Sequence, residues 1–143
     1  MKPFRTILNE VKLTLGLKPS GEKAEAFMKE FHEDSIEHPF NGRARIYHGA
    51  SVEASKDGNE IHIGDLLSLY PKSGAGTEAL TNLTKLADKH GVKLNLFAKA
   101  YSNRPEHITS TPRLIKWYRK HGFQHEEPDY DPSYGSDMKY YPK

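Results

Sequence analysis

Cysteine is absent from this 143-residue chain, so neither a disulfide framework nor thiolate catalysis is available, and the composition suits a reducing compartment. No apolar run is long enough to cross a bilayer, and the N-terminal stretch lacks the apolar core of a signal peptide. Both absences predict a cytoplasmic protein with no membrane partner. Charge of one sign is scarce as well. Lys+Arg at 21 against Asp+Glu at 19 leaves a formal +2, which gives nucleic acid little to hold. Eight scattered histidines show no metal-ligand spacing, so no metal is expected. The length predicts one domain, 1–143, able to bury roughly two-thirds of its unfolded surface.

What the chain does contain is a legible unit from Glu60 to Gly91. Ile61, Ile63, Leu66, Leu67, Leu69 and Tyr70, bounded by Asn59 and Pro71, predict a strand. Ala79, Leu80, Leu83, Leu86 and Ala87 recur at helical spacing and predict an amphipathic helix closed by Gly91. Between them, Pro71-Lys72-Ser73-Gly74-Ala75-Gly76-Thr77 sets two glycines at a helix start. Backbone N–H groups and the positive end of the macrodipole suit a phosphate or pyrophosphate there. An ordinary strand-to-helix turn would show the same spacing.

The rest of the chain reads as an α/β protein. Residues 1–19 fit either a helix through Phe4, Ile7, Leu8 and Val11 or a strand through Val11, Leu13, Leu15 and Leu17, with a strand ending near Lys18 preferred. Ser20 reads as the N-cap of a helix that carries Ala24, Phe27, Met28 and Phe31 and ends before Pro39; Pro39–Gly42 reads as a turn. Residues 45–55 alternate as one strand. A two-residue Asp57-Gly58 turn would then set Ala54 opposite Ile61 and Val52 opposite Ile63. That register places Asp65 on the same parity as aliphatic neighbours, which predicts a bulge near Gly64 ahead of the alternative, a solvated pocket. Val92, Leu94 and Leu96 predict a strand parallel to the first across a βαβ unit. Beyond a polar loop at 101–110, Thr111 as N-cap and Pro112 open a helix with Leu114, Ile115, Trp117 and Tyr118 that closes at Gly122. Phe123–His125 starts a strand, and Met138–Tyr141 reads as a last, edge strand.

Three chemistries could use the glycine loop. A P-loop needs Lys-Ser/Thr directly after its last glycine, and Gly76 is followed by Thr77-Glu78. A dinucleotide fold would accept Gly74-Ala75-Gly76-Thr77-Glu78-Ala79. It also needs an acidic residue at the end of the next strand, where Leu96-Phe97-Ala98-Lys99 offers none. The third reading joins the loop to a later segment, Thr111-Pro112-Arg113-Leu114-Ile115-Lys116-Trp117-Tyr118-Arg119-Lys120-His121-Gly122-Phe123. In this order the two resemble the pyrophosphate loop (Q/R-x-x-G-x-G/A) and the later signature (N-P-x-A-x-x-L-Y-x-x-x-G-F) of the GNAT N-acetyltransferase superfamily. The resemblance covers about residues 45–125. It extends to small GNAT-like proteins encoded by bacteriophages, which would place the chain in a host cytoplasm.

The resemblance implies a mostly antiparallel central sheet with one parallel, splayed strand pair, flanked by helices. It implies acetyl transfer from acetyl-CoA to a primary amine by direct attack, without a covalent enzyme intermediate. The backbone of Leu67 and Leu69 would pair with the pantetheine arm. Lys72, Ser73, Gly74, Ala75, Gly76 and Thr77 would bind the pyrophosphate, with Thr111 beside the coenzyme at the family's Asn position. Tyr118 would be the general acid for the departing thiolate, although the same spacing in an arbitrary chain would make it helix core beside Leu114 and Ile115. Asp65 ranks first as proton acceptor, followed by Glu60, with His62, Glu53 and His48 as open alternatives. One position departs from the pattern. Pro71 replaces the usual Arg or Gln, leaving Lys72 to supply a point charge without the guanidinium fork. Pro71 favours the alternative, a non-catalytic GNAT-fold protein that binds acyl-CoA or another protein. The acceptor is expected to be a small molecule or a protein amine, and a homodimer is among the expected assemblies.

Overall fold

The computed structural model describes residues 21–69, 73–100, 110–126 and 134–143. The expectations for residues 1–19, Ser20, Pro71, Lys72 and the loop at 101–109 lie outside the described residues. Helix α1 (Glu22–Glu33) leads into β1 (Ile36–Glu37), β2 (Arg45–Tyr47), β3 (Ala50–Asp57) and β4 (Glu60–Ser68). Helix α2 (Ala75–His90) then crosses to β5 (Leu94–Ala98), and α3 (Thr111–Lys120) precedes β6 (Gln124–His125) and β7 (Ser136–Tyr140). The described strands form one sheet in the order β1-β2-β3-β4-β5-β7-β6. Every neighbouring pair is antiparallel except β4 and β5, which run parallel on either side of the α2 crossover. The expected sheet is therefore present.

Its core follows the apolar spacing. Ala24, Phe27 and Phe31 of α1 and Ala79, Leu80, Leu83, Leu86 and Ala87 of α2 are buried in one cluster with Val52, Ile61, Ile63, Leu94, Leu96, Met138 and Tyr140 of the sheet. A fully buried leucine contributes about 1.5–3 kcal/mol, so α2 is a principal anchor of the sheet. Gly91, at φ 65, ends α2 in the left-handed conformation expected of a terminal glycine. Helix α1 stops at Glu33, short of Pro39, because Ser35 Oγ donates to the Phe31 carbonyl at 2.7 Å and the next two residues take sheet partners on β2.

Residues 45–55 are two strands. His48 and Gly49, at φ 50 and 79, form a tight turn between Tyr47 and Ala50. A two-residue turn preserves parity, so the alternation runs through it unbroken. The next hairpin also differs from the expected one. Asp57 pairs with Glu60, leaving Gly58 (φ 62) and Asn59 as the turn, with glycine at its first central position. Ala54 consequently faces Ile63, and Val52 faces Leu66. Strand β7 is not an edge, because β6 covers its outer side.

The β3–β4 register shifts between Glu53 and Ala54, making Gly64 the extra residue of a β-bulge. Hydrogen bonds on either side report its effect. The Ile61 N–H donates across to the Lys93 carbonyl at 2.9 Å, whereas the Leu69 N–H donates back to the Gly49 carbonyl at 3.0 Å. Residues of the same parity thus face β5 before the bulge and β3 after it.

Candidate active site

The bulge begins where β4 and β5 part. Their pairing is confined to Ile61↔Leu94, His62↔Asn95 and Ile63↔Leu96. Beyond it β4 follows β3 as far as Ser68, while β5 follows β7 through Phe97↔Asp137 and Ala98↔Ser136. The splay leaves a cleft of about 330 Å³. Its walls are β4 from Ile63 to Ser68, Leu96 and Phe97 of β5, the start of α2, and Leu114, Trp117 and Tyr118 of α3.

Because the bulge inverts parity, alternation along the β3–β4 ladder directs the amides of Asp65, Leu67 and Leu69 towards β3. Leu66 and Ser68 direct theirs into the splay. Of the two residues expected to pair with pantetheine, Leu67 lines the cleft with its amide turned away, and the Leu69 N–H is already donated to Gly49. The Leu66 amide is the one at this height that faces the splay.

At one end of the cleft, α2 starts without a side-chain cap. Gly74, at φ 81 and ψ 4, occupies the N-cap position, and its carbonyl accepts from the Glu78 N–H at 2.9 Å. Ser73 Oγ accepts from the Ala75 N–H at 3.2 Å, which shapes the turn. A Cβ on Gly76 would lie 3.8 Å from both Leu66 and Ser68 and 3.9 Å from Trp117, so helix backbone lies directly against the cleft wall. Thr77 Oγ1 accepts the Trp117 indole N–H at 3.2 Å, joining α3 to α2. From sequence, Trp117 is only one residue of an apolar helical face.

Tyr118 is buried with its ring edge-on to Phe123 at 5.4 Å, and it lines the cleft. Burial, and after it the Asp65 carboxylate, holds its phenol well above the usual value. Asp65 faces the cleft from the bulge and pairs across the ladder with Glu53. Although the residue is solvent-accessible, partial desolvation at the concave wall pushes its carboxyl up. The Glu53 charge adds to this, and the Leu66 N–H opposes it. Tyr118 and Asp65 are therefore brought together.

Glu60 and Thr111 are not in the cleft. Glu60 lies in a separate polar depression, accepting from Asn95 Nδ2 at 3.1 Å and from Lys139 at 3.3 Å. Thr111 is buried as the first residue of α3, where its hydroxyl accepts from the Ala100 N–H at 3.1 Å. The cap of α3 is Ser110, whose Oγ accepts from the Arg113 N–H at 3.2 Å. Either hydroxyl could cap this helix from sequence, and the Thr111 hydroxyl is instead taken by the Ala100 N–H, two residues past β5. Among the described residues, no group of three His, Asp or Glu side chains has the arrangement to hold a metal ion.

A seven-stranded, mostly antiparallel sheet, split after a bulge beside a parallel partner and followed by a glycine-started helix, is the GNAT fold. No protein-family model matches the chain, and no curated protein matches it. Solved structures do. The crystal structure of the anti-CRISPR protein AcrVA5 aligns at a TM-score of 0.50 and 22% identity, over 64% of this chain and 90% of that one. The ribosomal-protein-S18-alanine N-acetyltransferase of Escherichia coli aligns at 0.47 and 14%, over 81% and 86%. A Bacillus subtilis acetyltransferase in complex with CoA aligns at 0.43 and 9%, over 84% and 85%. These similarities concern the fold. Among the described residues, no helix is long and apolar enough to cross a membrane.

Proposed function

We propose that this chain is a GNAT-type N-acetyltransferase that moves an acetyl group from acetyl-CoA to a primary amine by direct attack. The observation that carries the reading is the β4–β5 cleft, with helix-start amides at one end and the Tyr118 phenol in its wall. The pantetheine arm would run along β4 and pair with the Leu66 backbone, extending the sheet as a strand would. The pyrophosphate would take the amides of Gly74, Gly76 and Thr77, with the Ala75 N–H held by Ser73 Oγ, assisted by the α2 dipole and by Lys72. A backbone N–H at the bulge would polarise the thioester carbonyl.

Tyr118 then serves the leaving group. Its raised pKa keeps the phenol protonated until the thiolate forms. In water such a phenol would be too weak an acid for this task. Inside the cleft the thiolate is desolvated too, which raises its own proton affinity and makes transfer, or a strong O–H···S⁻ bond, favourable. Asp65, with Glu53 behind it, would hold the incoming ammonium group. The experiment is thiol release from acetyl-CoA with an amine present. Tyr118→Phe is expected to cut kcat at least tenfold while leaving acetyl-CoA affinity within twofold of wild type. A Phe variant with full kcat removes the acid role.

A further inference from the structure

On the sheet face that carries Asp65, the four residues Asp57, Glu60, His62 and Asn95 form a hydrogen-bonded chain that the mechanism above does not use. Asn95 Nδ2 lies 3.1 Å from Asp57 Oδ2 and 3.1 Å from Glu60 Oε1. Carboxylates accept and do not donate, so these two contacts fix which end of the Asn95 amide is nitrogen. Its oxygen must then face His62, and Asn95 Oδ1 lies 2.6 Å from His62 Nδ1. An amide oxygen only accepts. Nδ1 therefore carries the proton, and in the neutral ring Nε2 holds the free lone pair. Glu60 is in turn held by Lys139, which also lies 3.6 Å from Glu126.

This fixed tautomer sits beside the cleft. His62 lines the depression that contains Asn95 and Glu60, and it also lines a second hollow with Arg43, Glu53 and Gly64. Gly64, the bulge residue, belongs to that hollow and to the splay cleft alike. A Cβ at Gly64 would lie 3.1 Å from Glu53 Oε2, so the Glu53 carboxylate stands over the bulge between the polar face and the cleft. His62 and Asp65 stand on the same sheet face on either side of the bulge, opposite Ser55 and Glu53 respectively.

We propose that His62 Nε2 is the proton acceptor for the incoming amine, that Asn95 is its positioning residue, and that Glu60 and Asp57 orient Asn95. The proposal rests on the acetyltransferase reading; it moves the base from Asp65, the first-ranked candidate, to His62 and gives Glu60, the second candidate, a supporting role. The protons balance. The ammonium gives one proton to His62 Nε2, and the free amine attacks the thioester carbon. The C–S bond breaks as the C–N bond forms, and the second nitrogen proton compensates the one Tyr118 gives to sulfur. His62 later releases its proton to water. Asp65 and Glu53 keep the role of attracting the cation. The charged groups facing His62 are Arg43 and Glu53 on one side and Asp57, Glu60, Glu126, Asp137 and Lys139 on the other. Their net charge is negative, which favours a cationic acceptor.

Two measurements test this on the full chain. The first follows kcat/KM against pH with acetyl-CoA and two probe amines, spermidine and poly-lysine. Imidazole is the one side chain that ordinarily titrates between pH 5 and 8, so wild type should lose activity on the acid side of that range. His62→Gln should lower amine kcat/KM by roughly 10²-fold or more and abolish that acid limb, with acetyl-CoA affinity unchanged. Asn95→Ala should lower it by a smaller factor while keeping the limb. An active wild type whose acid limb survives in His62→Gln overturns the His62 role alone. A wild type that neither binds acetyl-CoA nor releases thiol overturns the acetyltransferase reading. The second measurement needs no turnover. Nitrogen-15 spectra of the ring should show the Nδ1–H tautomer in wild type and a tautomer mixture in Asn95→Ala. An Nε2–H tautomer in wild type contradicts the proposal.

Discussion

Trp117 donates its indole N–H to Thr77 Oγ1 at 3.2 Å, across 40 residues of sequence. The bond ties the first turn of α2 to the middle of α3, and so joins the two segments whose order in the chain suggested a coenzyme site. A neutral hydrogen bond of this kind contributes about 0.5–1.5 kcal/mol.

Thr77→Val removes the acceptor and keeps the shape. The acetyl-CoA KM is expected to rise severalfold with kcat nearly unchanged, the pattern of lost uniform binding. Trp117→Phe should do the same, and the double variant should be no worse than the more affected single one. Steady-state kinetics of the three proteins decides it, and fully additive effects would show that the bond is not what links the helices.

Asp65 is expected to trade stability for function. Its carboxyl is pushed up by desolvation and by Glu53, so the folded state binds its proton more tightly than the unfolded chain does. The charged form therefore costs stability at neutral pH, and the cost vanishes once pH falls below the ordinary carboxylate range. Asp65→Asn should raise the melting temperature by a few degrees at pH 7, leave it unchanged near pH 3, and lower amine kcat/KM. Calorimetric melting at the two pH values measures the difference.

Buried phenols set the alkaline limit. Burial pushes Tyr47 up to about 12, with Asp34 and Glu30 adding to it, and burial with the Asp88 hydrogen bond does the same for Tyr140. Their folded pKa values exceed the unfolded value near 10, so the stability they contribute is complete below pH 10 and is lost as pH rises towards 12. Urea midpoints should be flat from pH 8 to 9.5 and fall steeply above pH 10. Tyr47→Phe should soften that fall.

Much of the site was legible because its signals are local. Gly74 and Gly76 before a helical apolar stripe, and Asp65 out of place among aliphatics, led to the helix start and to the bulge. The loss came at parity. A two-residue turn at His48-Gly49 leaves alternation intact, so it hid one hairpin, and the Asp57-Gly58 reading slipped the next register by two residues without moving any side chain to the wrong face. The bulge then reversed which amides face the splay, so the Leu66 N–H turns to it while those of Leu67 and Leu69 turn to β3. Asn95 was invisible for another reason. An asparagine between Leu94 and Leu96 is ordinary on a half-exposed strand, and its value comes from His62, Asp57 and Glu60 meeting it across β4.

The most direct measurement is titration calorimetry of the wild-type chain with acetyl-CoA, and with NAD as control. A split between β4 and β5 that receives pantetheine predicts saturable binding of acetyl-CoA at one site per chain, with no saturable heat from NAD. Absence of saturable acetyl-CoA binding, or equal binding of NAD, would contradict it.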